Sequence, residues 1–138
     1  MNRVLVTTLD KNFQRYELKV KKLALQILKI LRKKAVTLEI FLTSPKELRR
    51  FNKKYRGKNK PANVLSIEEP EKFFYPDHQK RIGEIFLNIE VVSDKERLAL
   101  FLVHGILHLF GYEHKTKNGR IKMERMEQKL LPNDQNPF

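Results

Sequence analysis

The sequence predicts an α+β fold: one domain over residues 1–138, with helices packed on a small mixed β-sheet and a metal-binding helix at its centre. Three observations carry that expectation. Short β-branched or alternating runs recur at residues 3–8, 36–43, 63–67 and 82–91. Between them lie segments whose apolar residues repeat every three to four positions, the period of a helix with one buried face. Near the C-terminal end, one such segment is apolar nearly all round yet carries two histidines four positions apart. At 138 residues the chain can bury a real core without covalent staples. It contains no cysteine, which excludes thiolate metal sites and disulfides and fits a reducing cytosol.

Residues 3–8, RVLVTT, read as a first strand. Asp10 is placed to cap a long helix from Phe13 to about Lys33, in which Phe13, Tyr16, Val20, Leu23, Ile27 and Ile30 or Leu31 form the inner stripe and the lysines point outward. VTLEIFLT, 36–43, is a second strand. Ser44-Pro45-Lys46-Glu47 then gives a helix start twice over, by a serine cap with glutamate three positions on and by proline in the first turn; this helix should reach about Tyr55. Phe51 and Tyr55 are expected in the core. NVLSI, 63–67, is a third strand, and EEPEKFFYPDHQK after it reads as a mobile surface loop. In 82–91, Ile85, Leu87, Ile89 and Val91 alternate with Glu84, Phe86, Asn88 and Glu90, the pattern of a strand with two unlike faces. Gly83 marks a bulge or a close backbone approach. Ser93-Asp94-Lys95-Glu96 opens the histidine helix. A last helix is expected from about Arg120 to Leu131, closed by Pro132.

The stretch from His104 to His114, HGILHLFGYEH, places three of the four histidines within a few turns of chain. On a helix His104 and His108 project from one face, one turn apart. Gly111 can end that helix at positive φ and let His114 swing back toward the same point. A lone histidine is commonly satisfied by packing, and His78, in a loop, is read that way. Three at this spacing make a nitrogen ligand set with one position open, the arrangement expected of catalytic zinc; other divalent transition metals would also accept it. Two imidazoles on so apolar a helix need partners, and a metal provides them.

Charge is distributed unevenly. Within a net charge of +13, residues 1–60 hold eighteen Lys and Arg against four Asp and Glu, and the remainder eleven against twelve. A first half of one sign points to a polyanionic partner, with the densest cations on the second helix and in the loop GKNKPAN. The N-terminus lacks the apolar core of a signal peptide and no apolar run approaches membrane-spanning length, so a cytoplasmic protein is the expectation.

His104, His108, Gly111 and His114 match the spacing of the metzincin zinc motif, but Gly105 stands where that motif carries its glutamate base. The fuller resemblance is to the YbeY family of bacterial endoribonucleases and rRNA maturation factors. HGILHLFGYEH resembles that family's HGxLHLxGYDH, with Glu113 for the usual aspartate. FNKKYRGKNKPANVLSI, IGEI and MERMEQKLL resemble three further segments in the family's order, from about Phe51 onward. The resemblance implies a zincin-like helix, one zinc ion on His104, His108 and His114, Arg56 as the residue acting on the phosphate, and single-stranded rRNA as substrate. It also implies maturation of the small-subunit rRNA 3′ end, ribosome quality control, and partners among the ribosome or small-subunit proteins.

Two rival readings follow from the residues. A zincin-like metallopeptidase or other metallohydrolase requires the missing base from elsewhere, with Glu84 and Glu113 as candidates. A non-catalytic ribosome-assembly factor would bind RNA and keep its metal for structure alone.

Overall fold

The computed structural model describes residues 1–69 and 78–131. Most of the connection after the third strand, and the chain from Pro132 on, lie outside the described residues. Four strands form one mixed sheet: β1 (Arg3–Thr8), β2 (Val36–Thr43), β3 (Val64–Glu68) and β4 (Lys80–Asn88), in the order β1-β2-β4-β3. β1 and β4 run parallel to β2, and β3 runs antiparallel to β4. Four helices complete the fold: α1 (Glu17–Ile30), α2 (Pro45–Arg56), α3 (Lys95–Leu109) and α4 (Lys117–Leu130). The expected α+β class with a mixed sheet is what the chain adopts. No helix of the described residues is long and apolar enough to cross a membrane.

Local chemistry sets most of the element ends. Asp10 caps as expected, accepting from the Asn12 amide at 2.9 Å, but Lys11–Tyr16 winds as a 3-10 turn before the α-helix begins. α1 stops at Ile30, short of Lys33, because Arg32 takes a left-handed φ of 58° and the Lys33 amide bonds back to the Leu28 carbonyl. Ser44 caps α2, accepting from the Glu47 amide, and Gly57 ends it at φ 68°. β4 ends at Asn88 and not at Val91: the Asn88 side chain accepts from the Glu90 amide and turns Ile89–Val91 into a single 3-10 turn. Asp94, one residue past the expected Ser93, caps α3 by accepting from the Glu96 and Arg97 amides. α4 begins at Lys117, three residues earlier than expected, because Thr116 caps it by accepting from the Gly119 amide at 3.0 Å.

One apolar core joins these elements. Val20, Ala24, Ile27 and Leu28 of α1, Leu98, Leu102, Val103 and Ile106 of α3, and Leu38, Ile40, Ile85 and Leu87 of the sheet are fully buried together. Each large aliphatic side chain buried there stabilises the fold by about 1.5–3 kcal/mol relative to exposure. Gly105 lies against Ile85 and Val64, whereas Phe51 of α2 packs on Phe86 at 4.9 Å. Successive strand residues point to opposite faces, so α3 and α2 cover opposite sides of the sheet. Phe51 is half-buried against Phe86 and outside the main core cluster, and Tyr55 is 52 % exposed, so neither fulfils the core expectation.

Gly83 has both features its position predicted. The register skips Ile82, a bulge between Thr37 and Leu38 of β2 and Arg81 and Gly83 of β4. Gly83 itself sits at φ 138°, and a β-carbon there would run into the Ile67 carbonyl and the Leu109 side chain. The absent side chain is what lets the last turn of α3 rest on the β3–β4 pair.

Candidate metal centre

α3 is seated by its glycine. A β-carbon at Gly105 would lie 3.0 Å from Val64 Cγ2, 3.2 Å from Ile85 Cδ1 and 3.2 Å from Ser66 Oγ, and the Ser66 hydroxyl donates to the Gly105 carbonyl at 2.9 Å. This contact holds the helix against the sheet and leaves His104 and His108 half-buried on its free side. Beyond Leu109 the Phe110 amide bonds to Ile106 and Leu107 carbonyls, Gly111 turns at φ 91°, and the Tyr112 amide returns to the Leu107 carbonyl. That turn brings His114 over His104, with ring centroids 4.7 Å apart and planes 20° from parallel.

The three imidazoles converge. His104 Nε2 and His108 Nε2 are 3.0 Å apart, and the His108 and His114 ring centroids are 4.9 Å apart. One nitrogen from each ring lies within 4.8 Å of the others, a grouping able to hold a metal ion. Burial lowers the His104 pKa from 6.5 to about 4, with the neighbouring His108, His114 and Arg56 pushing the same way. Burial, His114 and Arg56 also lower the His108 pKa, against a weaker opposing effect of the Tyr112 carbonyl. Both rings are therefore neutral at pH 7, the form that donates a lone pair to a metal. The three imidazole donors and their convergence fit one metal ion, the ligand set suited to zinc. His78 stands apart, exposed and at a left-handed φ of 58°.

Arg56 is the last residue of α2, exposed beside its Gly57 cap, and its charge reaches both His104 and His108. The loop that follows is tied back to the helix. Buried Asn52 donates to the Lys60 carbonyl at 3.1 Å, the Lys58 amide reaches the Asn52 carbonyl, and Arg49 Nε donates to Asn59 Oδ1 at 3.0 Å. The loop is thus ordered against α2, and among its neighbouring cations Arg56 is the one whose charge is felt at the histidines.

The family model described as Endoribonuclease YbeY matches residues 6–134. The chain belongs to the YbeY family. A relative of that name from Chelativorans sp. (strain BNC1) is 35% identical over 104 residues, covering 69% of this chain and 64% of the relative. Another, from Buchnera aphidicola subsp. Schizaphis graminum (strain Sg), is 34% identical over 110 residues, 72% of this chain and 68% of its own length. The chain spans 64% of the first of these relatives and 55% of a third, from Rhodopseudomonas palustris, at 36% identity. The solution structure of TM1509 from Thermotoga maritima shares the fold, with a TM-score of 0.50 and 24% identity over 94% of this chain and 89% of that one.

Within this YbeY-family site the acidic residues sort differently from expectation. Glu84 shares a sheet face with Phe86 and Phe51, opposite the histidine helix, so it is not available as a base at the metal. Its pKa is raised by burial and by Glu39 and Glu69 on its own side. Glu113 is spent on the loop: it accepts from the Lys115 amide and, at 3.0 Å, from the Thr116 hydroxyl, and the Lys115 amide above all lowers its pKa. The position of the metzincin glutamate is closed as well, because Gly105 faces the sheet. Besides Glu113, whose charge is felt at His108, a carboxylate of α4 comes close to the histidines: Glu127, with Oε2 3.9 Å from His104 Nδ1. Only its place at the centre of the MERMEQKLL match gave any sign of it; it carries no local mark of its own.

Proposed function

We propose that the chain is a zinc-dependent endoribonuclease that cuts single-stranded RNA, in the cytoplasm, during maturation of the small-subunit rRNA 3′ end and in ribosome quality control. Membership of the YbeY family and the names of its relatives support the activity. The observation that carries the reading is the convergence of the His104, His108 and His114 rings, with the charge of Arg56 acting on the first two.

His104, His108 and His114 hold the ion. Zinc supplies, when bound, a positive charge beside the phosphate and the means to make water acidic enough to attack at neutral pH. Arg56 offers a planar fork that grips two phosphate oxygens and offsets the negative charge that grows on them in the transition state. Lys53, Lys54, Lys58 and Lys60 draw in the backbone without reading bases, and selection of single strands rests on shape and on partners at the small ribosomal subunit. A peptidase reading lacks its glutamate, since position 105 is buried against the sheet.

The test is direct. Zinc-loaded wild type, His108→Ala and Arg56→Ala are incubated with a single-stranded RNA oligomer and with casein. RNA cleavage by wild type and its loss in both variants is the expected result. Cleavage surviving in both variants overturns the site; casein cleavage restores the peptidase. RNA binding with a steep salt slope but no cleavage by wild type assigns the protein as an assembly factor with a structural metal.

A further inference from the structure

Glu127 lies in the C-terminal half of α4, with its side chain 16% exposed, and points at the outer nitrogen of His104. The inner nitrogen of that ring, Nε2, is the one that meets His108 Nε2 at 3.0 Å. The imidazole is thus interposed between a carboxylate and the site where the three rings converge. Glu127 is not itself one of the converging ligands. From these positions we infer that Glu127 is a positioning residue: it holds the His104 proton on Nδ1, presents the Nε2 lone pair to the ion, and raises the basicity of that ligand. The inference rests on the reading of the three histidines as a metal site.

The physical case has three parts. A neutral imidazole carries one proton, and the hydrogen bond made by one nitrogen decides which tautomer is present at the other. A carboxylate facing Nδ1 fixes the tautomer that leaves Nε2 free, and it stabilises the positive charge the ring acquires on coordination. At 3.9 Å the pair is outside hydrogen-bond length and within ion-pair range. The placement of α4 is also built for this. Glu113 bonds the Thr116 hydroxyl, and Thr116 caps α4 through the Gly119 amide. Gly119 has no side chain because a β-carbon there would overlap the Glu113 carboxylate. The loop that carries His114 is therefore bolted to the start of the helix that carries Glu127, and both contacts to the rings move as one piece.

The experiment compares wild type, Glu127→Gln, Glu127→Ala and His108→Ala without reference to activity. Zinc affinity is measured by competition with a chromophoric chelator, and the histidine tautomers of the zinc-free proteins by long-range proton–nitrogen NMR. Glu127→Ala is expected to bind zinc about 10–100-fold more weakly, with the His104 proton redistributed from Nδ1 to Nε2. Glu127→Gln, which keeps an acceptor oxygen, should fall between it and wild type in both measurements. Wild-type affinity together with a wild-type tautomer in either Glu127 variant overturns the inference. If Glu127→Ala does not fold, as judged by circular dichroism, Glu127→Gln decides alone. His108→Ala separates the two readings: zinc binding unimpaired in that variant overturns the metal site itself, whereas binding lost there and kept in Glu127→Ala overturns only the role of Glu127.

Discussion

The two functional regions are built in opposite ways. At the histidine end the backbone is held by specific contacts: the Gly105 carbonyl by the Ser66 hydroxyl, the turn by Gly111, and the loop by Glu113, which accepts from two amides and a hydroxyl. At the cationic end the backbone is ordered by Asn52 and Arg49, but Lys53, Lys54, Arg56, Lys58 and Lys60 are all exposed. Ligands of a metal must agree within a fraction of an ångström, and two of the three sit half-buried on α3 while the Gly111 turn and the Glu113 hydrogen bonds fix the loop that carries the third. Phosphates are attracted over several ångströms and tolerate exposed, mobile partners. The difference separates chemistry that depends on geometry from binding that depends on charge.

If that contrast is right, substitutions at the two ends should differ in kind as well as size. The largest effect is expected for His108→Ala, which removes one ligand of three: zinc content by elemental analysis should fall to background and RNA cleavage should drop by well over ~100-fold, more than loss of a supporting carboxylate costs. Arg56→Ala should lower kcat by about 10²–10³-fold, the range for removing one charge-stabilising donor, while zinc content stays at wild type. A parallel loss of zinc would show that the two ends are not separable. Gly83→Ala tests the scaffold beneath the histidines. The strained φ and the clash with the Ile67 carbonyl should cost about 3 kcal/mol, read as a lower urea midpoint with an unchanged slope. The smallest effect belongs to Lys53→Ala with Lys54→Ala: modestly weaker RNA binding on every sequence tried, and a salt dependence shallower by about one unit for each phosphate the chain no longer neutralises.

Protons probe the geometric end alone. The His104 pKa in the folded chain, about 4, lies below its ordinary value of 6.5. The unfolded chain therefore binds more protons between those values. Stability of the zinc-free protein should be unaffected by this group above pH 6.5 and should decline as pH falls from about 6.5 to about 4. His108 contributes in the same direction. Urea unfolding of the zinc-free protein at a series of pH values checks this, and His104→Gln should flatten the decline.

Much of this was legible in local sequence. Ser44, Pro45 and Glu47 announced α2, Gly83 announced both the bulge and the close approach, and the histidine spacing announced the convergence of the three rings, because each depends on residues a few positions apart. What was not legible depends on pairing across the chain. Nothing near β4 says that it lies between β2 and β3, so the alternation of Glu84 with Ile85 was readable while the face holding the histidines was not. Glu84 and Glu113 looked eligible as bases for that reason. Glu127 was hidden because an acid on an amphipathic helix looks like any solvated one until the helix is docked. The start of α4 at Thr116 is likewise hard to see, since a threonine cap in a polar stretch has no apolar run immediately after it.

The seating of α3 through Gly105 also bears on how such proteins diversify. A single codon change that puts glutamate at position 105 completes the metzincin pattern on paper, yet it drives a side chain into Val64, Ile85 and Ser66. To accept it, the helix must lift from the sheet and β3 must be repacked, so the intermediate carries neither the old scaffold nor the new catalyst. The metzincin pattern and the pattern of this chain are one substitution apart as strings and separated by a valley as folded molecules. Libraries that search for peptidase activity in this scaffold should therefore vary positions 64, 66 and 85 together with 105.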